Sequence, residues 1–128
     1  MRAQRAAERM TDKNVCLSYE DRVAQMRKRF VFSVDARLDA IFEDCSANPV
    51  TTGESKVRRT HRLLHDMAGN AAMLELDELA AQTRFAVEIA AVADKFVRDV
   101  TPDEKLQIEA IIATTRVIVA RLKEQFYQ

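Results

Sequence analysis

The sequence predicts an all-α fold: an antiparallel four-helix bundle with a short additional N-terminal helix. Apolar residues recur at spacings of three and four through four long stretches, the period of a single helix face. Three of those stretches open on Ser or Thr with an acidic residue three positions on, a helix-start signature. The 128 residues include only two glycines and two prolines, too few for the tight turns of an all-β domain. The length suits one domain, residues 1–128, with a single core.

The opening "MRAQRAAERMTDKN" reads as a short helix over 1–14, ended by Asn14. It is rich in arginine but short and interrupted by Glu8, so it reads as a solvated basic helix rather than a targeting signal. The bundle is expected over 18–128. "SYED" starts its first helix with Ser18 as N-cap, and Val23, Met26, Phe30, Val34, Leu38, Ile41 and Cys45 form one apolar stripe. "SANPVTTG" breaks that helix, since Pro49 and Gly53 disfavour its continuation. "TTGE" suggests a capping box of Thr51 and Glu54, and the stripe Val57, Thr60, Leu64, Met67, Ala71, Leu74 follows. A bend near "ELDE" leads to a third stripe: Leu76, Leu79, Thr83, Ala86, Ala90, Ala93 and Val97. "TPDE" gives the clearest start, with Thr101 as N-cap, Pro102 at the first helical position and Glu104 at the third. Ile108, Ile111, Thr115, Ile118 and Leu122 line the last helix, broadened by Ile112, Val119 and Phe126. Helices of this kind are marginal alone and bury their stripes against one another. Met26, Met67 and Met73 read as core fillers.

Twenty basic and twenty acidic residues cancel, so no global field favours nucleic acid or anionic lipid. Neither is expected as a partner. No apolar run reaches the length of a membrane span. Cys16 and Cys45 lack CxxC spacing and read as free thiols in a reducing cytoplasm, the expected location.

Chemistry concentrates in "HRLLHDMAGNAAML", which holds both histidines and an unexpected glycine. Successive helical side chains turn by about 100°. With Leu64 and Met67 in the core, His65 borders solvent and shares its face with His61, Ala68, Gly69 and Ala72. Arg58, Arg62, Asp66 and Asn70 form the polar side. Glycine inside a helix costs about 1 kcal/mol relative to alanine. Two readings account for Gly69: another helix presses against it, or an outside partner needs its backbone close to an exposed imidazole. His61 and His65 at i and i+4 could share a metal, but HExxH is absent because Arg62, Leu63 and Leu64 intervene, and two more ligands would be required. No metal is expected.

The segment "HDMAGNAAMLELDELA" resembles the histidine-containing phosphotransfer (HPt) domain of multistep two-component signalling. That family's usual pattern is histidine, two variable residues, lysine, glycine, then small residues and an apolar run. His65, Gly69, Ala71, Ala72, Met73, Leu74, Leu76 and Leu79 match it, and the helical layout from Ser18 onward does too. Two positions depart: Ala68 stands where the lysine is usual, and Glu75 where a glycine is often found. The resemblance implies a phosphorelay protein that accepts a phosphoryl group on His65 from a phospho-aspartate of a receiver domain and passes it to a response regulator. A hybrid sensor kinase is a further implied partner, and the chain is expected as a monomer. The receiver would bring the aspartate and Mg²⁺, so the chain needs no cofactor of its own. A neutral imidazole nitrogen, with an ordinary pKa of about 6.5, is a competent acceptor in a reaction governed by positioning and charge stabilisation. Docking is expected through Arg58, His61, Arg62, Asp66, Ala68, Gly69, Ala72 and Met73. Arg62 or Arg84 would supply the charge the missing lysine does not. With Gly53 and Gly69 the only glycines, there is no P-loop and no glycine-rich ATP lid, so the expectation is a phosphocarrier and not a kinase. The alternative is an HPt-like helical module that binds receivers or other helical partners without transfer.

Overall fold

The computed structural model describes residues 18–46 and 54–127, with side chains throughout except over 42–46. The helix expected over 1–14, the proposed Thr51 cap, Pro49, Gly53, Cys16 and the Cys45 side chain lie outside the described residues. Four helices follow in order: α1 (Tyr19–Ser46), α2 (Lys56–Met73), α3 (Asp77–Lys95) and α4 (Pro102–Gln125). Each packs against its two neighbours, α1 on α2 and α4, α3 on α2 and α4, and among the described residues the backbones of neither diagonal pair come close. The result is an up-down-up-down four-helix bundle. Among the described residues there is no strand, and no helix is long and apolar enough to cross a membrane.

Helix starts follow capping chemistry. The Ser18 hydroxyl accepts the Asp21 N–H at 3.0 Å, and Glu20 and Asp21 complement the positive end of the α1 dipole. The N-cap of α2 is Ser55, not Thr51: its side chain accepts the Arg58 N–H at 3.1 Å from an extended backbone. Glu54 is thereby released from the expected capping box. At α4 the box is complete, with Thr101 Oγ1 accepting the Glu104 N–H at 3.1 Å and Glu104 Oε1 accepting the Thr101 N–H at 2.9 Å. Arg98 adds a bond to Glu104 of 2.7 Å.

The two turns that bracket α3 are alike. Glu75 N–H donates to the Ala72 carbonyl and Leu76 N–H to that of Ala71, while Val97 and Arg98 repeat the pattern onto Asp94 and Ala93. These are Schellman caps, whose C′ residue is left-handed and usually glycine. Here Glu75 (φ 59°) and Val97 (φ 51°) occupy it. The departure from glycine at position 75 therefore leaves the helix end intact and places a residue with a Cβ in a conformation that disfavours one. Arg27 fastens this end, donating to the Leu74 carbonyl at 2.7 Å and to Glu75 at 3.0 Å.

The core contains Phe30, Val34, Leu38 and Ile41 of α1, Leu64, Met67 and Ala71 of α2, Leu79, Ala86 and Ala90 of α3, and Ile108, Ile112, Ile118 and Val119 of α4. Alanines along α3 let α2 approach closely. Thr83 and Thr115 are buried and donate to carbonyls of their own helices, so neither hydroxyl is left unpaired. Several expected core positions are corrected. Val97 is exposed because α3 ends before it, and Met26 and Met73 lie on the surface. Met67 alone of the three methionines is a core filler.

Candidate functional site

Helix α2 presents one flank to α3 and the solvent beyond it. His61 sits where the two helices meet: its Nδ1 lies 2.9 Å from Asp94 Oδ2 on α3. A carboxylate oxygen only accepts, so Nδ1 carries the proton in this bond and Nε2 is the nitrogen left facing outward. Arg58 Nε, one turn earlier, approaches the other Asp94 oxygen at 3.6 Å. His65 follows one turn later and is exposed, its ring nearly perpendicular to that of His61 with centroids 6.2 Å apart. No hydrogen bond among the described residues ties down its ring.

Gly69 lies one turn beyond His65 and is exposed. A Cβ built there meets nothing within 4 Å. Close packing by another helix is therefore not what this glycine serves. Ala72, a further turn on, is half-buried against the core. Together they leave the surface after His65 low and open.

Ala68, expected on this docking face, is buried at 6% exposure. Three residues along a helix turn back by about 60° from His65, which carries position 68 into the α2/α3 seam. Arg62 is engaged as well: Nε and Nη2 each bond a different oxygen of Glu54 at 2.9 Å. Those bonds, and then the Arg62 charge, hold the Glu54 carboxyl below its ordinary value. Arg58 and Asp66 are exposed on the expected side, and Met73, at the end of the same helix, is 80% exposed. Arg84 on α3 is exposed and has no ion pair among the described residues.

No protein-family model, no curated protein and no solved structure matches the chain.

What the arrangement can do chemically is thus read from its own atoms. Among the described residues no three His, Cys, Asp or Glu side chains converge as a metal site, and Asp94 already occupies Nδ1 of His61. Among the described residues His65 offers an exposed imidazole with no hydrogen-bond partner, on the same face of α2 as exposed Gly69. Asp94 is the residue the sequence did not single out. Its one signal was placement: an acidic side chain in the last turn of a helix opposes the dipole there and calls for a compensating partner.

Proposed function

We propose that this chain is an HPt-type phosphocarrier that accepts a phosphoryl group on His65 from a phospho-aspartate of a receiver domain and hands it to a response regulator. The observation that carries the reading is the pairing of exposed His65 with Gly69, which is open to solvent and has no packing neighbour. A glycine in an exposed helix interior costs stability, and clearance for an approaching partner gives it a use.

In the transfer, the unprotonated nitrogen of the His65 imidazole attacks phosphorus in line with the aspartyl oxygen. The N–P bond forms as the O–P bond breaks, and the carboxylate leaves with the electron pair. The proton on the second ring nitrogen goes to solvent or stays to make the ring a better leaving group for onward transfer. Catalysis of this step is positioning and charge neutralisation. The receiver supplies the aspartate and Mg²⁺, and the bundle supplies a fixed imidazole and a flat docking surface. The chain acts without a kinase activity of its own, in the cytoplasm where receivers work.

A second reading, a receiver-binding module without transfer, draws on the charge around His65. Position 68 holds a buried alanine and Arg62 is bound to Glu54, so the nearest cations are spent or absent there. Incubating the protein with a small phosphoramidate donor and with phosphorylated receivers, then reading intact mass, separates the two. An acid-labile adduct that survives His61→Gln and disappears in His65→Gln is expected. Receiver binding with no adduct from any donor would overturn the carrier reading in favour of the module.

A further inference from the structure

A second surface, on α3 and α4, carries apolar side chains that the core leaves largely exposed. Helix α3 carries Phe85, Ile89, Val92 and Phe96, and α4 carries Leu106, Ala110, Ala113 and Val117, each set spaced four, three and four. That spacing is the seam of a helix meant to pack against another helix. Ile89 is half-buried and packs partly against the core, and the others lie outside it, with Phe85, Val92, Phe96, Leu106 and Val117 46% to 65% exposed. The two seams lie side by side. Arg121, one turn beyond Val117, reaches Glu78, two turns before Phe85, at 3.4 Å, which sets both stripes on the same outer face of α3 and α4.

We infer that this face is the interface of a symmetric homodimer, with α3 of one copy laid on α4 of the other. Shape supports a second copy as the occupant. Phe85 and Phe96 are bulky and roughly 16 Å apart along α3 at 1.5 Å per residue. Ala110 and Ala113, both exposed, form a low stretch between Leu106 and Val117 on α4. A phenylalanine of one copy seats on the alanines of the other, and a two-fold axis makes the contact twice. Charge permits it, since the chain has no net charge to repel its copy. The five exposed side chains present on the order of 500 Å² of apolar surface, so two copies bury about 1,000 Å² from these residues alone, the threshold for a specific interface. A patch of about 500 Å² is within the range where the largest apolar patch of a protein is often functional. The His65 face is left open in both copies, so each could still serve a partner.

Sedimentation velocity of the full chain from micromolar to several hundred micromolar tests the inference. A concentration-dependent dimer is expected. Phe85→Glu and Val117→Glu should each weaken it by at least about tenfold while the helical circular dichroism is retained. Tyr19→Glu, at an exposed position on the far side of the bundle, should leave it unchanged. Should either Glu variant lose helical signal, Ala113→Arg, at an exposed helix position in the middle of the seam, takes its place. A wild-type chain that stays monomeric throughout overturns the inference and leaves the face to a different protein. A dimer that survives these substitutions overturns it equally.

Discussion

His61 on α2 and Asp94 on α3 are joined by a 2.9 Å hydrogen bond across the seam between their helices, one turn from the exposed His65. The bond links the two helices that frame the candidate acceptor, beside the apolar packing they share.

Asp94→Ala should therefore destabilise the fold by about 1–2 kcal/mol, the value of a partly buried hydrogen bond to a charged group. A double-mutant cycle with His61→Gln, read by urea denaturation, should give a coupling of about 1 kcal/mol. If the two changes are additive, the bond contributes nothing to the seam. Phosphoryl uptake at His65 is expected to persist in both single variants.

Gly69→Ala should stabilise the free protein by about 1 kcal/mol, because the added methyl meets nothing and the helix gains a better former. If the proposed carrier function holds, the same variant should bind a receiver domain more weakly, since the methyl would occupy the clearance beside His65. Denaturation midpoints and titration of a receiver domain measure the two effects. A variant that is more stable and binds equally well would remove the reason offered for the glycine.

Acid should unfold the chain partly through Glu104. The side-chain bonds from Arg98, and then the backbone N–H of Thr101, hold its carboxyl down at about 2 from an ordinary 4.5. Folding lowers this pKa, so the stabilisation is complete above pH 4.5 and is lost as pH falls toward 2. Thermal melts across that window should show a shallower loss of stability in Glu104→Gln than in the wild type. Equal slopes would assign the acid sensitivity to other carboxylates.

Much of this architecture was legible in the sequence. The period of Leu64, Met67 and Ala71 fixed which side of α2 is buried, and Thr101, Pro102 and Glu104 fixed the start of α4 because their chemistry is local. Where the reading failed, the deciding interaction was longer in range or finer in angle. Ser55 and Thr51 offer the same capping oxygen, and only the path of the backbone selects between them. Ala68 lies 60° from His65, a difference that a face drawn from spacing alone does not resolve. Val97 continues the period of α3, yet the helix stops first, since periodicity carries no information about termination when the C′ residue is not glycine. Gly69 admitted both packing and clearance until the space around it was seen to be empty. Asp94 required the fold, because its partner lies 33 residues away in the chain.

The turn between α2 and α3 spans only Leu74, Glu75 and Leu76. Closing so short a loop sacrifices little chain entropy, and these two helices share the most extensive contact in the bundle. Contacts between segments close in sequence form quickly. His65, Gly69, His61 and Asp94 all belong to this one hairpin, so the surface is assembled from neighbours in the chain. Its geometry therefore rests on contacts of short sequence separation.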